Sequence, residues 1–449
     1  MRVAGISEGS HDAGYSLIED REILYASHSE RYSQIKNDSR IHSSMVRVSN
    51  IRAYFENPFW KNTRRLYAGQ SWITKKTKYD MCFPHHKTHA AAGFYTSPFR
   101  KANVIVVDAI GEWDTTSIWY ADQGNLHQHK TLKKIYSRKY PWSLGLLYSA
   151  VTELLGYKPN EEEYIVMGMA AFGEPKYDLE YLLHENNHRG VGKIFPHAHP
   201  RDLAASVQNL YETKFLQLLK YCKYSNLVLS GGCALNCVAN SKIPDRFNIW
   251  ILPAPGDAGS SLGAAALVEK KKLNWLHPYL GYAIEVHGQG HVKDIVDYLE
   301  NHGVCGVVNG KEEFGPRALG NRSLLADPRL DIKDTVNDIK QRQKFRPFAP
   351  AILEEHFDDY FDGRKNRYMQ FVSRAKHDYK SVTHIDGTAR VQCVEKDNIS
   401  ILRPILEEWY NRTGCPMLLN TSLNIKGKPM CSTWKDAQRF EKKYNVKVF

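Results

Sequence analysis

The sequence predicts an α/β protein whose larger, N-terminal part is a duplicated unit, followed by a second and smaller α/β domain. Three observations lead there. A strand, loop and returning strand occur twice, first from residue 3 and again from residue 103. Two glycine-bearing loops, Ser230-Gly231-Gly232 and Pro255-Gly256-Asp257, each follow a strand-like run and lead into small residues. A polar stretch from Lys270-Lys271-Lys272 to Pro278 then precedes a region with strands and helices of its own. Length agrees, because 449 residues at roughly 150 per domain allow two or three domains. The expected domains are residues 1–275 and 280–449.

Taken in order, the chain opens with a strand over residues 3–6, the loop Ser7-Glu8-Gly9-Ser10-His11-Asp12-Ala13-Gly14, a strand over 15–18, a Glu19-Asp20-Arg21 turn and a strand over 23–26. The same pattern returns as a strand over 103–107, the loop Asp108-Ala109-Ile110-Gly111-Glu112-Trp113-Asp114 and a strand over 115–120. Such duplication, with each hairpin loop facing a shared cleft, is the arrangement of actin- and sugar-kinase-like ATPase folds. Helices are expected over 144–157 and 203–221, then a strand over 227–230 that runs into Gly231-Gly232-Cys233-Ala234-Leu235-Asn236. Glycines at a strand's end let the backbone approach phosphate oxygens, and the next helix N-terminus supplies free N–H donors. The loop at 253–261 repeats this one strand later.

Several classes are excluded. The longest apolar stretch, residues 261–268, stops at Glu269 and is far short of the roughly 20 residues that span a bilayer. Met1-Arg2-Val3-Ala4-Gly5-Ile6-Ser7-Glu8 has none of the features of a signal peptide, so a cytoplasmic protein with reduced thiols is expected. The eight cysteines are scattered, Cys233 and Cys237 being nearest, and predict neither disulfide nor zinc ribbon. The net charge of +12 favours anionic partners. Residues 36–78 carry ten basic side chains (Lys36, Arg40, Arg47, Arg52, Lys61, Arg64, Arg65, Lys75, Lys76, Lys78) among Tyr54, Phe55, Phe59, Trp60, Tyr67 and Trp72. Those are the ingredients of a nucleic-acid surface, and equally of a solvated basic face over ordinary core aromatics.

His85 and His89 stand four residues apart, so on a helix both imidazoles project from one face and can grip one ion. Asp108 and Asp257, each in a glycine-bearing loop at a strand's end, could face the same cleft. Two imidazoles with carboxylates suit Fe(II), Mn(II) or Zn(II), and spacing does not choose among them.

Further motifs carry a resemblance. His85-His86-Lys87-Thr88-His89-Ala90, Val107-Asp108-Ala109-Ile110-Gly111-Glu112, Val166-Met167-Gly168-Met169-Ala170, Ser230-Gly231-Gly232-Cys233-Ala234-Leu235-Asn236, Gly256-Asp257-Ala258-Gly259, Phe314-Gly315-Pro316-Arg317-Ala318-Leu319-Gly320-Asn321-Arg322-Ser323, Phe345-Arg346-Pro347-Phe348-Ala349-Pro350 and Asn420-Thr421-Ser422-Leu423-Asn424 keep one order over nearly the whole chain. This set resembles the O-carbamoyltransferases that decorate nodulation factors, cephalosporins and aminoglycosides.

The resemblance implies an ATPase-like N-terminal domain, similar to the tRNA threonylcarbamoyl-transferring enzyme, and a C-terminal domain that makes carbamoyl adenylate from carbamoyl phosphate and ATP, with Mg2+. The adenylate would then carbamoylate a hydroxyl. His85, His89, Asp108 and Asp257 fall on the family's metal ligands, with Fe(II) expected. Glu163, Gly168, Gly231, Gly232, Asn236 and Gly256 fall on the nucleotide site. Arg317, Lys340, Arg346 and Ser422 fall on the carbamoyl-phosphate pocket, with Arg322, Arg342 and Asn420 as further contributors and Arg317 also counted as catalytic. His11 and Asp12 match a catalytic loop in which the imidazole acts as base; a turn-stabilising pair is the alternative. Glu30, Arg31 and Lys36 match a neighbouring segment read as structural. Ile165 stands where the family usually has Lys, and Ala109 where it has Gly.

The expected acceptor is a 5-hydroxymethyl pyrimidine of DNA or a nucleotide, given the basic aromatic segment, with a sugar, aminoglycoside or other natural-product hydroxyl as the rival. No membrane partner is expected, and a homodimer is a candidate assembly. A tRNA-modifying enzyme is disfavoured by the motifs, and a non-enzymatic nucleic-acid binder leaves the paired histidines unexplained.

Overall fold

Apolar runs at residues 2–7 and 101–107 each nucleate the centre of a sheet. The structure, a computed structural model, describes residues 1–9, 11–74, 77–124, 131–184, 190–192, 194–284 and 292–449. They form two units. One comprises Met1–Ser29 and Asn37–Leu276, the other Glu30–Lys36 and His277–Phe449.

In the first unit, β1 (Arg2–Ser7), β2 (Gly14–Glu19) and β3 (Glu22–His28) form an antiparallel meander. On the other edge of β1, β4 (Ile51–Tyr54) and β5 (Met81–Cys82) add in parallel. Flanked on both edges, β1 buries Val3, Ala4 and Ile6, so its sequence runs apolar rather than strictly alternating. The second sheet repeats the plan. β6 (Lys101–Val107), β7 (Asp114–Asp122) and β8 (Leu132–Lys139) are antiparallel, while β9 (Asn226–Ser230) and β10 (Asn248–Ile251) extend it in parallel. The orders β3-β2-β1-β4-β5 and β8-β7-β6-β9-β10 are the same, strand direction included. The expected α/β duplication is present.

Two buried helices are packed against these sheets. Helix Asp257–Glu269 lies on β1 and β2, helix His85–Thr96 lies on β6 and β9, and the two pack on each other. Their contact requires Gly263, because a Cβ there would stand 1.9 Å from the Thr88 carbonyl oxygen. The expected helices near 144 and 203 are Leu144–Leu154 and Pro200–Gln217.

The basic aromatic segment divides. β4 and Phe55 are core, Lys61 donates to Glu56 (2.9 Å), and buried Arg64 donates to Gln70 (3.0 Å) and to the Glu112 carbonyl (3.3 Å). Lys36 is paired with Glu30 at 2.7 Å. Helix Pro58–Tyr67 and the turn after it leave Phe59, Trp60, Leu66, Tyr67 and Trp72 exposed. Lys75 and Lys76, like Ser10 of the first loop, lie outside the described residues. Arg40, Arg47, Arg52 and Lys78 are exposed, so the segment keeps both basic and aromatic groups at its surface, while burial of Lys61 is compensated by the Glu56 carboxylate.

The second unit is built on a five-stranded sheet of strands Val304–Val308, Arg322–Ala326, Met417–Ser422, Ala349–Leu353 and Gln392–Val394, in that spatial order. Only the last pair is parallel. Its core includes Leu324, Leu325, Ile352, Leu418 and Trp409, the last from helix Leu402–Thr413. Glu30–Lys36 groups with this unit, and Arg31 there donates to the Gly315 carbonyl at 2.9 Å. Among the described residues no helix is long and apolar enough to cross a membrane. All eight cysteines are free thiols.

Candidate functional site

The packing of the two buried helices fixes the first site. His85 opens one helix and His89 follows a turn later, Asp257 opens the other, and Asp108 follows the last residue of β6. All four are buried. His89 Nε2 lies 3.0 Å from His85 Nε2. Asp108 Oδ2 is 3.1 Å from His85 Nε2 and 3.2 Å from His89 Nε2, and Asp257 Oδ1 is 3.4 Å from each. Neighbouring donors about 2.1 Å from one ion are about 3.0 to 3.4 Å apart in octahedral to tetrahedral settings, so this donor set fits a single divalent cation.

The electrostatics agree. Burial alone would neutralise all four groups. Instead Asp257 and Asp108 raise the pKa of His85 well above the usual imidazole range, and the same carboxylates raise that of His89. Burial likewise pushes the carboxyls up, but the two histidines outweigh it and hold Asp108 and Asp257 far below theirs. Opposite charges that stabilise one another at one buried point are a common feature of functional sites and of structural ion-pair networks alike.

The glycine loops meet the same point. Gly231 has φ +88°, and a Cβ on it would lie 2.3 Å from the Val107 carbonyl oxygen. Its N–H donates to the Pro255 carbonyl at 2.9 Å, which ties the two loops together. Gly232 donates to Asp108 Oδ1 at 3.1 Å. One carboxylate therefore faces the histidines with one oxygen and the glycine loop with the other. A Cβ on Gly256 would come within 3.9 Å of Gly232 and meet nothing else, and Gly168 faces open space.

Other expected residues are placed less simply. Glu163, half-buried, accepts from Ser149 Oγ and from the Asn160 N–H, both at 2.5 Å. The Asn236 side chain is spent inside the fold: it caps helix Cys237–Ser241 and exchanges hydrogen bonds with Gln208 at 3.0 and 3.1 Å. Ile165, the departure from Lys, is fully buried. His11 lies near enough to Asp257 for its charge to lower that carboxyl further. Asp12 is bonded through Oδ1 to His28 Nδ1 at 2.8 Å.

The second unit holds an opposite assembly. Lys340 is buried, and its ammonium donates to Ser422 O, to Ser422 Oγ (3.3 Å), to Asn424 O (3.0 Å) and to Asn424 Oδ1 (2.9 Å). Burial, then the charges of Arg342 and Arg346, press its pKa well below the usual amine range. Strand pairing sets Ser323 opposite Ser422, and Asn420 Nδ2 donates to the Ala318 carbonyl at 3.2 Å, so the half-buried Arg317 lies in the loop at this end of the sheet. Arg322 is a correction: it is fully buried and spends its guanidinium on the carbonyls of Ser432, Asn309, Asn321, Tyr282 and Gly310 at 2.7–3.2 Å. No donor remains for a ligand. Asn424, which the residue-by-residue reading passed over, holds both Lys340 and Ser422.

Residues 48–191 and 188–266 match the carbamoyltransferase N-terminus, and residues 296–449 match the carbamoyltransferase C-terminus. The chain belongs to the carbamoyltransferase family. It is a transferase, and the family's reaction is carbamoyl transfer. An uncharacterized protein of Synechocystis sp. is 29% identical over 97% of this chain and 93% of its own length. Nodulation protein NolO of Bradyrhizobium diazoefficiens is 31% identical over 79% and 75%. Among solved structures, (R)-2-hydroxyglutaryl-CoA dehydratase component A of Acidaminococcus fermentans aligns with 59% of this chain and 96% of its own at 14% identity and a TM-score of 0.39.

Proposed function

We propose that this carbamoyltransferase uses ATP and carbamoyl phosphate to form carbamoyl adenylate and passes the carbamoyl group to a hydroxyl, on a 5-hydroxymethyl pyrimidine of DNA or of a nucleotide. The observation that carries the reaction is the presence of two clusters of opposite character: four metal-ligating donors touching a glycine loop, and a buried lysine with neighbouring arginines at the end of the central strand Met417–Ser422.

In the second unit, Arg317, Arg346 and Lys340 neutralise phosphate while Ser422 Oγ orients it. Water releases carbamate and phosphate from carbamoyl phosphate, and a carbamate oxygen displaces pyrophosphate from ATP, Mg2+ accompanying the nucleotide. In the first unit, the backbone of Gly231, Gly232 and Gly256 admits the adenylate's phosphate, and Glu163 and Gly168 border its nucleoside. His85, His89, Asp108 and Asp257 hold the divalent ion, read as Fe(II). When bound, it supplies Lewis acidity toward a carbonyl oxygen. His11 takes the proton from the acceptor hydroxyl, and Asp12, through His28, steadies the loop that carries it.

The DNA acceptor is supported by the exposed Phe59, Trp60, Tyr67 and Trp72, whose faces suit an unstacked base, and by the +12 charge. The cytoplasm is the compartment in which these substrates and the free thiols belong.

The test supplies Fe(II), ATP, carbon-labelled carbamoyl phosphate and DNA containing 5-hydroxymethylcytosine. Label recovered on the digested base supports the full reading. AMP and pyrophosphate formed without label in DNA would retain the adenylate and reject this acceptor in favour of small-molecule alcohols; no AMP would reject the adenylate.

A further inference from the structure

Metal-bound histidines ordinarily donate their second ring nitrogen to a carboxylate or carbonyl, which fixes the ring. Here the Nδ1 atoms of His85 and His89 are both buried and, among the described residues, have no hydrogen-bond partner. The His85 ring is therefore held from its Nε2 side, by Asp108 and Asp257, and its backbone is held as well. Pro84, the residue before the helix, has no side chain able to cap it. The Glu112 carboxylate takes that place from the β6–β7 loop, accepting the His85 N–H at 3.0 Å (Oε1) and 3.1 Å (Oε2). Oε1 also accepts the Asn57 N–H at 2.7 Å.

Glu112 is buried and stands four residues after Asp108 in the same short loop. That loop therefore reaches His85 twice, at the imidazole through Asp108 and at the backbone through Glu112. The Phe55 ring, 5.1 Å from that of His85, closes a third side. An anionic cap also suits the positive end of the helix.

We infer that Glu112 is a positioning residue for the cation site, setting the register of His85 against Asp108 through the helix backbone. The inference rests on the proposal that the four-residue cluster binds a divalent ion. Its predicted consequence is a loss of affinity of about ten- to a hundredfold when the carboxylate is removed, the size of effect that outer partners of metal ligands have.

The test uses Co(II) alone, titrated into full-length wild type, Glu112→Gln and His85→Ala, followed by the Co(II) absorption spectrum and by calorimetry. Thermal melting of each metal-free protein runs in parallel. Glu112→Gln keeps the side chain's shape, so a folded protein with weaker Co(II) binding and a shifted spectrum supports positioning. Unaltered affinity and spectrum overturn it, whether or not the metal-free melting temperature falls, because a cap that matters only for stability moves melting and not the ligand field. If Glu112→Gln does not fold, Glu112→Asp, one methylene too short to serve both N–H groups, is read by the same criteria. Failure of wild type to bind one Co(II), or equal binding by His85→Ala, defeats the cation site itself and the inference with it.

Discussion

The two clusters differ in what they leave unsatisfied. In the first unit, two imidazole nitrogens and two carboxylates converge on one buried spot, while Asp108 keeps its other oxygen on the Gly232 N–H. In the second, the Lys340 ammonium is already surrounded by Ser422 and Asn424 oxygens, and the excess there is positive charge from Arg342 and Arg346. The first gathers donors suited to a cation and the second gathers positive charge suited to an anion, and burial strengthens both preferences, so the clusters select by charge before any shape is considered.

The sharpest way to break the comparison is to remove one centre and look for loss at the other. His85→Ala should abolish carbamoyl transfer, by more than the roughly hundredfold that an outer partner costs, while AMP formation from ATP and carbamoyl phosphate persists. Lys340→Met should eliminate AMP formation while one Co(II) still binds. Loss of both properties in either variant, with the protein folded, would mean that the clusters are not separate.

Opposite pH dependences sharpen it next. Asp108 and Asp257 hold His85 and His89 above their usual range, and a cation competes with protons for these nitrogens, so Co(II) affinity should rise with pH, by up to about tenfold per unit for each proton released. Lys340 is held well below its usual range, and an anion bound beside it would favour its protonated form and draw a proton onto it. Carbamoyl-phosphate affinity should therefore fall as pH rises, with proton uptake visible in calorimetry across buffers of different ionisation enthalpy. Slopes of the same sign would contradict the assignment.

The smallest expected effect tests the scaffold of one cluster only. Gly263→Ala places a methyl against the Thr88 carbonyl and should cost about 1–3 kcal/mol of stability as the buried helices separate. Co(II) binding should weaken with it, and carbamoyl-phosphate binding should not. Denaturation followed by fluorescence, with the two titrations, checks this.

Much of this was legible beforehand where the determinants are local. Short apolar runs bounded by turn and loop residues marked β1–β3, β6 and β7, and the spacing of His85 and His89 put two ring nitrogens on one helical face. Short β4 and β5 escaped because the basic and aromatic residues around them read as surface. Arg322 and Arg346 occupy similar loop motifs and look alike in sequence, yet the five carbonyls around Arg322 come from four separate segments, which no spacing records. Glu112 could have been noticed as an acidic residue four positions after Asp108, but not what it caps.

Sequence alone determined the duplicated sheet plan, a residue set of metal-ligating type and the family to which the chain belongs. These follow from periodicity and from residue order, both of which survive without coordinates. The tertiary structure decided that this residue set converges, which charges are consumed internally, that Gly263 lets two helices meet, and that Glu112 holds the first histidine. Each depends on groups brought together from distant parts of the chain, where the free energy of a buried charge is set by its neighbours in space.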